Sequence, residues 1–203
     1  MVRELTHPGA NEVSRMLEIF RDSFEGEPGF RYMFQNPTTR KDDVLWAAGL
    51  KFQLMRKKLK IYVAEPGVSG FSWWVPPGIA SSATLCEQLR VGYARAPFRC
   101  GAAAFARMYK FASQERILID RFTAEPIWVL DTIAVDLSQA RNGMGGRLLE
   151  PGLAAARDSG LGCFVLTHNE RNVRFYEKYG FRLEVAEELG ASGVTAYCLL
   201  YGK

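Results

Sequence analysis

The chain has 203 residues, 48% hydrophobic and 24% charged, with a formal net charge of +4. This balance excludes a disordered chain and provides for one compact core, a single domain over residues 1–203. The mild basic excess suits an anionic ligand and is too small to argue for nucleic acid.

The opening MVRELTHPGANEV has no apolar h-region of the secretory kind. The long uncharged stretch at residues 66–86 is interrupted by Pro66, Pro76 and Pro77, so no spanning helix is expected and no membrane partner. The four cysteines, Cys86, Cys100, Cys163 and Cys198, form no CxxC pair, and His7 and His168 are the two histidines. Buried reduced thiols in a cytoplasmic protein without a metal fit that pattern.

Residues 11–24 place Val13, Met16, Leu17, Phe20 and Phe24 at helical spacing. A second helix is predicted over residues 42–60, ending in the charge run RKKLK, which reads as a solvated helix terminus. Residues 61–64 and 68–75 form a hairpin about an EPG turn, stopped by PPG. Residues 82–121 are helical in pattern with a break at Pro97 and read as an insertion against the sheet or around a pocket.

The second half is more regular. The run IWVLDTIAV at residues 127–135 is almost continuously apolar, as a strand buried on both faces must be. A glycine-rich turn, a helix and a second apolar strand at residues 163–167 follow, which makes a βαβ unit with parallel strands. A short helix is then bracketed by Asn169 as N-cap and Gly180 as stop, and strands at 181–185 and 195–201 close the sheet. The fold class is therefore α/β, a central mixed sheet flanked by helices.

Chemistry concentrates at the turn Ala140-Arg141-Asn142-Gly143-Met144-Gly145-Gly146. Glycines at a helix start allow close approach of a ligand, and the unpaired N–H groups and helix dipole favour an anion such as a pyrophosphate. Arg141 can add a charge-assisted contact. A dinucleotide fingerprint would need a third glycine where Leu148 stands, which excludes a nicotinamide-dependent oxidoreductase, and a GK[ST] phosphate loop is absent.

The motif Gly143-Met144-Gly145, followed by Leu148-Leu149, Asn169 and the run Phe175-Tyr176-Glu177-Lys178-Tyr179-Gly180-Phe181, resembles the GNAT acetyltransferase superfamily. The phrases SGFSWWVPPG, LDTIAVD and NVRFYEKYGF resemble its puromycin N-acetyltransferase-like branch. The resemblance covers roughly residues 127–183 and implies an acetyl-CoA-binding core there. It implies that the glycine turn, including Asn142 and Gly146, cradles the coenzyme pyrophosphate, that Ile133-Ala134-Val135 pairs with the pantetheine arm, and that Tyr176 sits by the thioester sulfur. Asn169 and Asn172 match family asparagines that contact the coenzyme. Ala140 departs from the Gln or Arg usual at that position, with Arg141 one step on.

The implied activity is N-acetyl transfer to a small-molecule primary amine. A protein lysine or N-terminal acetyltransferase and a non-catalytic acetyl-CoA sensor are the alternatives, and a homodimer stays open. An amine of ordinary pKa must lose a proton before attack, a cost of roughly 4 to 5 kcal/mol at pH 7, so a general base is expected. Counting by twos places Ile127, Val129, Asp131, Ile133 and Val135 on one face, with Asp131 alone among apolar neighbours. It is either that base or an ion-paired structural residue. His168 is the second candidate. Phe30, Trp73 and Trp74 are candidate walls of the acceptor pocket, although strand alternation sends the two tryptophans to opposite faces.

Overall fold

The computed structural model describes residues 1–79, 84–140 and 142–202. Its strands are β1 (Val2–Glu4), β2 (Lys60–Ala64), β3 (Gly70–Val75), β4 (Trp128–Val135), β5 (Cys163–Thr167), β6 (Phe181–Glu188) and β7 (Thr195–Tyr201). They form one seven-stranded sheet in the order β1-β2-β3-β4-β5-β7-β6. Every pairing is antiparallel except β4 with β5, the parallel pair expected of the βαβ unit.

Helices α1 (Ala10–Phe24), α2 (Pro28–Met33), α3 (Arg40–Met55), α4 (Leu85–Arg90), α5 (Ala96–Cys100) and α6 (Ala102–Phe122) precede β4. Helix α7 (Met144–Ser159) crosses from β4 to β5, and α8 (Glu170–Glu177) follows β5. Met16, Phe20, Val44 and Phe52 of α1 and α3 pack on one face with Phe71 and Trp73, and Phe111 and Leu118 of α6 extend that layer over Val129 and Phe164. The opposite face is covered by Leu149, Leu153, Val173 and Tyr176 of α7 and α8 against Trp74 and Leu130. Among the described residues no helix is long and apolar enough to cross a membrane.

Several boundaries differ from the sequence expectation, each for a local reason. Helix α3 ends at Met55 rather than at residue 60, because Lys60 and Ile61 pair with Trp74 and Trp73 of β3. The charge run lies in the connecting turn, where Lys58 pairs with Glu87 of α4 at 3.2 Å. The helical stretch from residue 82, of which 84 onward is described, does not break at Pro97. That proline lies in the first turn of α5, where its missing N–H costs nothing. The breaks fall at Gly92 and Gly101, with φ of 82° and 85°. The helix before the C-terminal strands ends at Glu177, with Gly180 at φ 86° completing the reversal into β6. The edge strand β1 and the single-turn-scale helix α2 are too short to leave a periodic signal.

Helix α7 carries Pro151 in its interior. Close by, Ser72 Oγ of β3 donates to the Leu148 carbonyl at 2.8 Å, and Trp74 lies so near Gly152 that a Cβ there would sit 2.1 Å from the indole. The helix is thereby seated against β3 through backbone, at the place where proline removes one rung of its ladder.

Candidate active site

The site begins with a defect in β4. Trp73 is opposite Thr132 and Trp74 is opposite Leu130, so Asp131 has no partner on β3 and forms a β-bulge. The bulge changes the face of every residue beyond it. Ile127 and Val129 pack with Phe111, Leu118 and Phe164, whereas Ile133 and Val135 pack on the opposite side with Met144 and Leu148. The expected single row of Ile127, Val129, Asp131, Ile133 and Val135 is therefore corrected: it splits at Asp131. Consecutive residues Asp131 and Thr132 both reach Lys51 of α3, at 3.0 Å and 3.5 Å, and Thr132 Oγ1 donates to Asp131 Oδ2 at 2.9 Å.

The bulge also marks where the parallel strands part. β4 and β5 are paired at Trp128, Val129 and Leu130, and no further. From Asp131 to Val135 the β5-facing edge of β4 has no strand against it. The wedge between the strands belongs to a cleft of about 930 Å³ that passes from the helix-covered face to the start of α7.

One end of the cleft is the glycine turn. Gly143 is the N-cap of α7 with φ 69°, a left-handed conformation that favours glycine. Among the described residues Arg147 N is the first amide of the helix to bond back, to the Gly143 carbonyl at 3.2 Å, and the preceding amides of the first turn have no backbone partner. Gly143, Met144, Gly145 and Gly146 line the cleft, with Ile133, Ala134 and Val135 alongside. Arg141 lies outside the described residues. The small size of Gly145 and Gly146 also serves the protein itself. A Cβ on Gly145 would lie 3.0 Å from Phe175, and one on Gly146 would clash with the Tyr179 hydroxyl, so aromatic side chains of α8 and of the turn after it rest on the first turn of α7. Unpaired amides, a helix of sixteen residues behind them and a strand edge without a partner fit a pyrophosphate with an extended amide-bearing arm.

Midway along the cleft stands Tyr176, about two turns into α8. It is 4% exposed, packs against Phe175 and Phe181, and lines the opening. Burial, and after it the negative charge of Glu27, push its phenol well above the ordinary tyrosine value. The hydroxyl is therefore held protonated, as a hydrogen-bond donor.

The other end is a chamber walled by Phe20, Phe24, Phe30, Met33, Met108 and Phe111, with the carboxylates of Glu27, Glu115 and Asp131 among them. His168 enters from the end of β5, with Nε2 3.3 Å from Glu115 Oε1 and the ring against Phe111. Asn169 caps α8 by accepting from Arg171 N at 3.1 Å, and its Nδ2 donates to Glu27 Oε1 at 2.9 Å. Asn172 lines the cleft and donates to Thr167 Oγ1 at 3.0 Å.

The structure thus brings together Asp131, Ile133, Ala134, Val135, Gly143, Met144, Gly145, Gly146, Asn172, Tyr176, His168 and Phe30 along one opening. Trp73 and Trp74 are corrected. They do take opposite faces, but both are fully buried, one against Phe20, Phe52 and Phe71 and the other against α7, and neither lines the cleft. Asn142 and Asn169 are not among the lining residues either, and Asn169 acts through its cap and through Glu27. Glu27, Lys51 and Glu115 were missed. Glu27 stands in the connection before α2, Lys51 on α3 and Glu115 on α6, and no spacing in the sequence connects them to the glycine turn or to Tyr176.

Residues 92–181 match the acetyltransferase (GNAT) family. Over nearly the whole chain the fold is similar to that of a histone acetyltransferase HPA2 and related acetyltransferase from Corynebacterium glutamicum, at 16% identity and a TM-score of 0.67, covering 98% of this chain and 94% of that one. PH1933 from Pyrococcus horikoshii is similar at 9% identity and a TM-score of 0.62, with 100% and 98% covered. An agmatine N-acetyltransferase variant in its apo form is similar at 14% identity and a TM-score of 0.57, with 98% and 97% covered. At these identities the likeness is one of fold.

Proposed function

We propose that the chain, whose residues 92–181 match the acetyltransferase (GNAT) family and whose fold is similar to that of solved acetyltransferases, is an acetyl-CoA-dependent N-acetyltransferase acting on a primary amine of a small molecule. The observation that carries this reading is the parting of β4 and β5 beyond Leu130, which opens one cleft between the free amides of α7 and the carboxylate-bearing chamber.

Acetyl-CoA, when bound, supplies an activated acetyl thioester. The first-turn amides of α7 and the glycines 143, 145 and 146 hold its phosphates, and the free edge of β4 at Ile133, Ala134 and Val135 pairs with its amide-bearing arm. Asn172 and Tyr179 border that path. Tyr176 donates a hydrogen bond where negative charge gathers on the departing sulfur. Its raised phenol makes full proton loss unfavourable, so it serves by electrostatic stabilisation. A carboxylate of the chamber, which Glu27, Glu115 and Asp131 line, takes the amine proton. Apolar walls from α1, α2 and α6 favour a compact amine over a peptide segment and exclude water from the reacting atoms.

The test is thiol release from acetyl-CoA against phenethylamine, spermidine, kanamycin, puromycin and a lysine peptide. Release with a small amine and none with the peptide is the expected result. No release with any acceptor, together with tight acetyl-CoA binding by calorimetry, points instead to a coenzyme sensor.

A further inference from the structure

Three carboxylates line the acceptor chamber, and their surroundings differ. Asp131 is committed: its Oδ2 accepts from both Thr132 Oγ1 and Lys51 Nζ. An ammonium approaching Asp131 also approaches the Lys51 cation, and like charges within a few ångströms repel strongly in a partly dry cleft. Glu115 lies beside His168 at 3.3 Å, towards α6. Among the described residues Glu27 accepts one side-chain hydrogen bond, from Asn169 Nδ2 to Oε1, and no cation is paired with it. After burial, its negative charge is what raises the Tyr176 phenol. Asn169 ties the two together. Its Oδ1 accepts from Arg171 N of α8 and its Nδ2 donates to Glu27, so the amide has one orientation, and the carboxylate is fixed to the N-terminus of the helix that carries Tyr176.

Resting on the acetyltransferase reading above, we infer that Glu27, held in place by Asn169, is the group that accepts the proton of the acceptor amine, and that Asp131 with Lys51 shapes the chamber. In the step, the amine lone pair forms the N–C bond to the acetyl carbonyl carbon and one N–H proton passes to the Glu27 carboxylate. The C–S bond breaks with its electron pair going to sulfur, which receives the Tyr176 hydrogen bond and then a proton from solvent. Glu27 releases its proton to solvent, so the net reaction is amine plus thioester to amide plus thiol. Glu27 is the catalytic residue in this scheme, and Asn169 is a positioning residue.

The test uses the full chain and the amine of the panel above that gives the fastest thiol release. Glu27→Gln should lower kcat/KM by roughly 100- to 10,000-fold and abolish the acidic limb of the pH–rate profile. Acetyl-CoA affinity by calorimetry should stay within about 2-fold, while binding of the same amine to the enzyme–CoA complex weakens by about 10-fold or more, the loss of one charge contact. Asp131→Asn should keep the acidic limb whatever its rate. Asn169→Ser retains a good N-cap and removes the donor to Glu27, so it should lower kcat and shift the limb without changing the melting temperature. Should Glu27→Gln fail to fold, Glu27→Asp replaces it, with the limb retained and kcat reduced. An acidic limb that survives in Glu27→Gln, or one that disappears in Asp131→Asn instead, overturns the assignment while wild type remains an active acetyltransferase. Wild type without thiol release from any amine overturns the parent reading as well.

Discussion

Tyr176 illustrates what a single residue's environment adds to its identity. A phenol at about 10 against a thiol at about 8.5 makes proton transfer to sulfur mildly uphill in water. In the fold, burial and Glu27 raise the phenol further. Donation of a hydrogen bond, which strengthens as charge develops, is what remains. Tyr176→Phe should therefore cut kcat by roughly 10- to 1000-fold, with acetyl-CoA affinity and melting temperature nearly unchanged. A core tyrosine without that role would lose stability and keep its turnover, and steady-state kinetics with a parallel melt separate the two. Tyr176 was legible because its motif and the glycine turn occur in order within one stretch of chain. Asp131 was only half legible: its isolation in an apolar row was visible, but the bulge that turns it and Thr132 toward Lys51 depends on pairing with β3. Glu27 was not legible at all, because it stands in a short connection and gains its meaning from Asn169, far along the chain. Trp73 and Trp74 show the reverse error, since large aromatics near a site are more often its foundation than its wall.

At the scale of elements, the sheet and the βαβ unit followed from periodicity, while the turns that aim them came from side chains binding backbone. The connection from β4 to the glycine turn is one of these. Asp136 opens a one-turn 3-10 helix (Leu137–Gln139), accepts from Ser138 N at 2.8 Å and Ser138 Oγ at 2.7 Å, and pairs with Arg15 of α1. The hydrogen bonds from the Ser138 hydroxyl and amide, ahead of the Arg15 charge, hold its carboxyl below the ordinary aspartate value. A carboxyl depressed in the folded state contributes stability that is complete above its unfolded pKa and is lost as pH falls through the folded one. Asp136→Ala should thus lower stability by about 1 kcal/mol, as loss of a cap does, with a difference from wild type that is constant above about pH 5 and shrinks in more acidic solution. Urea unfolding followed across pH gives both numbers, and a difference that grows on acidification would contradict the assignment. Acetyl-CoA affinity should fall as well, because the turn leads directly into Gly143.

For the whole molecule, the cleft makes the two halves of the chain interdependent. Its acceptor end is built from α1, α2, α3 and α6, and its coenzyme end from β4, α7 and α8. A ligand bound along β4 touches both, and it binds the folded chain alone, so it must raise the unfolding free energy by mass action. At a concentration about 100 times Kd the gain is about 2.7 kcal/mol. For a chain of this length each kcal/mol moves the melting temperature by about 2–4 °C, so acetyl-CoA should raise it by roughly 5–10 °C. Gly145 distinguishes binding at the α7 terminus from binding elsewhere. Its Cβ position lies 3.0 Å from Phe175, so Gly145→Ala introduces crowding alone, whereas Gly145→Glu adds a negative charge beside the open amides. Both variants should melt somewhat below wild type without ligand. With acetyl-CoA, Gly145→Ala should recover a substantial part of the shift and Gly145→Glu none of it, because an anion there repels the phosphates and itself occupies the positive end of the helix. An equal shift in the Glu variant would place the coenzyme away from the glycine turn and remove the foundation of the proposed chemistry.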